Sequence, residues 1–172
     1  MGDVVVQTRR RGAQVKITTM ITTAVATLIM ATIGLISAPV AAAYPNVGKL
    51  GSELTMTDSV GQVVLGWTVS GLKPSTDTMS GYPVAGQVWE ATATVDAERG
   101  SVTPAISQFN AVAPNQAAYR VLWEVASPQG ISGATIAQGQ KSTGKIYFDV
   151  TGPPPTTVTM NNGMEDLLIW GP

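Results

Sequence analysis

The chain has 172 residues, with ten basic and eleven acidic side chains, and it contains neither cysteine nor histidine. Without imidazole or thiol, Ser-His-Asp and Cys-His nucleophilic machinery, disulfide staples and the usual zinc and haem ligand sets are excluded, and no cofactor is expected.

The first predicted element is an export signal. Arg9, Arg10, Arg11 and Lys16 precede a stretch from Ile17 to Gly48 that carries no charge. The apolar run closes in Ser37-Ala38-Pro39-Val40-Ala41-Ala42-Ala43, a helix breaker followed by small residues. This basic, apolar, small order is what signal peptidase reads. A cut after Ala42 puts Val40 at −3, and a cut after Ala43 puts Ala41 there; the first is preferred. An uncleaved anchor is the competing reading, because Ile17 to Ala43 is long enough to span a bilayer. Threonines, Gly34 and Pro39 dilute that run and favour cleavage. The domain boundaries expected are therefore 1–42 for the N-terminal extension and signal peptide, and 43–172 for one folded domain released outside the cell. Removing Arg9, Arg10, Arg11, Lys16 and Asp3 leaves six basic and ten acidic residues, a net charge of −4 for the mature part. That balance argues against nucleic acid or an anionic membrane as partner.

Period-two alternation begins after the leader and predicts half-buried strands. Leu50, Leu54 and Met56 fit a first strand, and Val63, Leu65, Trp67 and Val69 a second. Trp89, Ala91, Ala93 and Val95 follow, then Tyr119, Val121, Trp123 and Val125, then Ile146, Phe148 and Val150. Weaker strand candidates are 102–109, 132–136, 157–160 and 166–170. Asp58 to Gly61, the polar loop Pro74 to Gly81, Arg99-Gly100 and Pro114-Asn115 mark reversals. Asn162-Gly163 predicts a type I′ hairpin, which needs positive φ at both positions. Pro153-Pro154-Pro155 predicts a connector between strands. Eight or nine short strands without a helical period read as an all-β, antiparallel, immunoglobulin-like sandwich.

Four blocks carry a resemblance: KLGSELTMTDSVGQVVLGW (Lys49 to Trp67), GYPVAGQVWEATATV (Gly81 to Val95), STGKIYFDVTG (Ser142 to Gly152) and MNNGMEDLLIW (Met160 to Trp170). From about Val15 onward the chain resembles the small secreted immunogenic antigens of mycobacteria. The resemblance implies an extracellular immunoglobulin-like β-sandwich, known as an antigen and without an established molecular activity. Residues 1–14 have no counterpart in it, so translation is expected to start at Val15, from a GTG codon.

Candidate sites are few. Asn161 to Asp166 holds oxygen ligands suited to calcium, but the hairpin explains it more simply. Asp96 and Glu98 share a strand face at a spacing that suits carboxylate-based glycoside hydrolysis, and a strand end is the simpler reading. Parity places Trp67, Trp89 and Trp123 in the core and leaves Trp170 undetermined. Tyr44, Tyr82 and Tyr147 are expected at a contact surface. Lys141, Lys145, Tyr147 and Asp149 form a possible polar patch, with a solvated strand face as the alternative. The expected role is non-enzymatic: a secreted module that touches a host or cell-envelope protein through the loops Pro74 to Gly81 and Ala113 to Ala118. A carboxylate-dependent glycan hydrolase and a structural envelope protein are the alternatives.

Overall fold

The computed structural model describes residues 45–58 and 60–172. The export signal, its cleavage positions Ala42 and Ala43, and Tyr44 lie outside the described residues.

The described residues form two sheets. One has the order β1 (Asn46–Lys49), β9 (Asp166–Gly171), β8 (Thr157–Asn161), β5 (Phe109–Val112), β6 (Ala118–Arg120). The other has the order β2 (Glu53–Thr57), β3 (Val64–Pro74), β4 (Gln87–Arg99), β7 (Lys141–Val150). Pairing between these strands is antiparallel except for the first and last, where β1 runs parallel to β9 with Val47 opposite Ile169. The all-β immunoglobulin-like sandwich expected from the alternation is the fold.

The alternation sets the core. Trp67 and Val69 from β3, Ala91, Ala93 and Val95 from β4, and Ile146, Phe148 and Val150 from β7 all point inward. They meet Phe109, Val158, Leu168 and Trp170 from the facing sheet. Trp67 stands edge-on to Phe109 across the sandwich, with ring centroids 4.9 Å apart and planes at 78°. Phe109 in turn contacts Trp170 at 6.1 Å. Burying each such side chain contributes about 1.5–3 kcal/mol, so this aromatic centre dominates the packing. Trp170 donates its indole N–H to the Ser52 carbonyl at 3.0 Å, whereas the buried Trp67 Nε1 has no acceptor.

Several expectations change. The predicted first strand is two strands: Gly51, at φ +96°, turns the chain after Lys49 and sends β1 and β2 to different sheets. Residues 102–109 do not form a strand; Val102 makes one bridge to Ile136, and Ile106–Gln108 is a 3-10 turn leading into β5. Residues 132–136 contribute only that bridge. The strand predicted from Tyr119 to Val125 ends at Arg120. Val121 then leaves for the other sheet and bridges Phe148. The hairpin at Asn162-Gly163 is not type I′, because positive φ occurs at Gly163 but not at Asn162. Asn162 instead caps a four-residue loop, its Oδ1 accepting the N–H groups of Met164 and Glu165 at 2.9 and 3.0 Å.

Candidate functional site

The register of β4 and β7 builds the main polar cluster. Glu90 pairs with Tyr147, Thr92 with Lys145 and Val88 with Asp149, so these side chains share the outer face of the four-stranded sheet. On β3, Lys73 lies opposite Glu90. A charged group on an outer face is normally solvated. Here Glu90 is only 6% exposed and Tyr147 only 3%, because the segment between β3 and β4 folds down over them.

Specific bonds hold that segment. The Ser75 N–H donates to the Val88 carbonyl at 2.8 Å, and its hydroxyl donates to Glu90 at 2.6 Å. Lys145 Nζ lies 2.7 Å from Asp77 and 2.9 Å from Glu90, bridging loop and sheet. The Tyr147 hydroxyl donates to Asp77 at 2.7 Å and lies 3.2 Å from Ser127 Oγ. Met79 is buried in the same segment. At its far end Asp149 accepts the N–H groups of Ala85 and Gly86, both at 2.8 Å. Gly86 is required there, because a Cβ would sit 2.0 Å from the Val150 carbonyl oxygen.

The electrostatics fix each group in its ordinary charge state. Hydrogen bonds from Lys145 and then Tyr147 hold the Asp77 carboxyl below the usual range. Burial pushes Glu90 up, but hydrogen bonds from Ser75 and Lys145 outweigh it and the net direction is down. Bonds to Asp77 and then Glu90 raise Lys145. Burial raises Tyr147. Lysine more firmly protonated, phenol kept neutral and carboxylates made less basic leave no group poised for proton transfer near neutral pH. The cluster is a clasp: two lysines, Lys73 and Lys145, against two carboxylates, fastening a loop to a sheet.

The four residues expected to form one patch are thus divided. Lys145 and Tyr147 are together in the clasp, Asp149 holds the loop's far end, and Lys141 pairs with Asp96 at 2.5 Å near the other end of β7. That pairing raises Lys141. Tyr147 is buried rather than exposed, since the loop covers a position that parity alone leaves open. Tyr82 is half-buried. Asp77, Ser75 and Glu90 escaped sequence reasoning; the one signal was a carboxylate at the outward position beside Trp89.

Of the tryptophans, Trp67 is in the core as expected, Trp170 is fully buried, and Trp89 packs partly buried against the core. Trp123 is 56% exposed, contrary to its parity. The Val125 N–H donates to the Leu122 carbonyl at 3.2 Å, and this turn breaks the period that parity assumed. Asp96 and Glu98 lie on the outer face of β4, Asp96 bound to Lys141 and Glu98 accepting from Thr55 at 3.5 Å. In the 161–166 loop, Asn161 Oδ1 accepts the Gly163 N–H at 2.6 Å and Asp166 accepts from Asn161 Nδ2 at 2.8 Å. No group of three or more acidic residues suited to a metal occurs among the described residues. The loop 113–118 is tight: the Gln116 N–H donates to the Ala113 carbonyl at 2.8 Å, and Gln116 adopts φ 68°.

The class of protein defined here is an antiparallel two-sheet β-sandwich domain with a loop latched over the outer face of one sheet. Residues 45–170 match the family described as a domain of unknown function, DUF1942. The chain is 73% identical over 158 residues to immunogenic protein MPB63 of Mycobacterium bovis, covering 91% of this chain and 99% of that protein. Immunogenic protein MPT63 of Mycobacterium tuberculosis matches with the same identity and coverage. The crystal structure of secreted MPT63 aligns with a TM-score of 0.73 and 75% identity, over 76% of this chain and 99% of that one. The chain belongs to the DUF1942 family of mycobacterial secreted immunogenic proteins, and it is a secreted antigen of that kind.

Proposed function

We propose that the mature domain is a non-enzymatic recognition module that touches a host or cell-envelope component. The carrying observation is the clasp. The densest set of titratable groups among the described residues is spent on fastening residues 75–86, with every shift running away from catalysis. What remains is a rigid sandwich with fixed surface features, the construction that recognition domains use. The loop Pro74 to Gly81 is tied down and serves as scaffold; the contact surface lies beyond it. The hydrolase alternative loses support because Asp96 is neutralised by Lys141. Self-association through β7 is disfavoured, since residues 121–122 and 129–131 already bond to its outer edge.

The test is capture on immobilised mature protein from host extract and from cell-envelope extract. Retention of a component with Kd below about 100 μM supports the reading. Failure to retain anything at that strength, or turnover of a glycoside or ester by the purified domain, defeats it.

A further inference from the structure

Trp123 is the one aromatic among the large hydrophobic side chains that stand exposed in the described residues. Its position is fixed. Val121, just before it, is buried and bridges Phe148, and the Leu122 N–H donates to the Tyr147 carbonyl at 2.8 Å. The ring is therefore held out from the edge of β7 by the same residue that anchors the clasp.

Two open grooves flank it. One, of about 450 Å³, is lined by Pro104, Ala105, Ile106 and Ile131 beside Trp123. The other, of about 410 Å³, is lined by Tyr82, Arg120, Glu124, Asp149 and Thr151. Arg120 and Glu124 take part in none of the ion pairs among the described residues. The site thus offers a flat apolar ring at Trp123, a fork of donors at Arg120 and the carboxylate of Glu124, all exposed.

These features select a ligand. A wholly apolar ligand would strip water from Arg120 and Glu124 without replacing it. A polyanion would meet Glu124 and Asp149 on a domain of net negative charge. A peptide cannot add as a strand to β7 here, because residues 121–122 and 129–131 occupy that edge, and one added to the three-residue edge strand β6 would leave the indole face of Trp123 unused. A pyranose ring has one face of C–H groups and a rim of hydroxyls. The C–H face lies against the indole, and the rim exchanges hydrogen bonds with Arg120 and Glu124. We propose that Trp123, with Arg120 and Glu124, is a saccharide-binding site for a pyranose unit of a neutral glycan. This rests on the recognition-module reading and names its ligand.

The experiment titrates maltohexaose, cellohexaose and mannohexaose into the secreted protein and follows tryptophan emission. Trp67 and Trp170 are fully buried and Trp89 is partly buried, so the part of the shift that is absent from Trp123→Ala is the signal of Trp123. A saturable blue shift is expected with at least one hexaose, and titration calorimetry, which does not depend on the indole, should show binding weakened about tenfold or more by Trp123→Ala and several-fold by Arg120→Ala or Glu124→Gln. Circular dichroism and Tm of Trp123→Ala should match the parent, since the ring is outside the core. No saturable shift up to about 10 mM of any hexaose, or equal binding by Trp123→Ala, overturns the site. Repeating extract capture with Trp123→Ala, with and without periodate oxidation, separates the two claims. Capture insensitive to both leaves the recognition module standing and removes the saccharide site. Capture lost in Trp123→Ala but resistant to periodate overturns the ligand class.

Discussion

The two outer faces of the sandwich share one strand geometry and are finished in different ways. On the four-stranded sheet, β4 and β7 present Glu90, Lys145, Tyr147 and Asp149, and a loop is bonded over them. On the five-stranded sheet, the equivalent positions are Ile169, Thr159 and Asn110 in one row, beside an open groove of about 520 Å³. The difference teaches that strand alternation decides only which side faces out. Whether an outward residue is wet depends on what a distant connection does. One face therefore has a stability tied to charge and close backbone approach, and the other does not.

The largest expected contrast between the faces comes from glycine. Gly86→Ala forces the loop off the Val150 carbonyl and breaks both bonds that Ala85 and Gly86 N–H donate to Asp149, and it should cost about 3 kcal/mol in urea unfolding. Gly171→Ala on the five-stranded sheet meets nothing within 4 Å and should change stability by less than about 1 kcal/mol. Equal costs at the two positions would erase the distinction. Next comes Glu90→Gln, which removes a buried charge facing Lys145; a loss of about 2 kcal/mol is expected, against about 0.5 kcal/mol or less for Thr157→Ala.

The pH dependence sharpens the same contrast. Asp77 and Glu90 have carboxyls depressed by folding, so their contribution is complete above the ordinary carboxyl range and disappears as pH falls through the folded values. Lys145 is raised, so its share is complete below the ordinary lysine range and fades only as pH rises through the still higher folded value. Hydrogen exchange should show residues 75–86 losing protection on acidification before β8 and β5 do, and Asp77→Asn should abolish that order. Simultaneous loss of protection on both faces would show that the clasp is not a separate unit. The smallest effect is expected from Lys141→Ala. Its ammonium is mostly exposed beside Asp96, and its removal should leave the unfolding midpoint almost unchanged in physiological salt.

Much of the core was legible because alternation is a local signal. Trp67, Val69, Ala91, Ala93, Val95, Ile146 and Phe148 all face inward where their parity put them. Trp123 was misread because parity survives only as long as the strand does, and β6 stops at Arg120. Nothing in the residues nearest Trp123 announces that Val121 changes sheets. The clasp was half legible. Lys145 and Tyr147 stood out on one strand, but their partners Asp77 and Glu90 lie 68 and 55 positions away from Lys145. Only the β4–β7 register and the fold-over of the intervening segment bring them together. The loop at 161–166 shows a subtler limit: Asn-Gly marks a reversal correctly, while the side chain of Asn162 chooses the turn by capping N–H groups.

The parallel pairing of β1 with β9 has a consequence for when the molecule can be completed. β9 lies between β1 and β8, so residues 166–171 supply the seat for residues 46–49. A chain that has emerged without its final stretch leaves the beginning of the domain with nowhere to dock. Closure joins opposite ends of the polypeptide, the kind of contact that forms late. Strand β1 therefore reaches its place in the sheet only once almost the last residue of the chain is available.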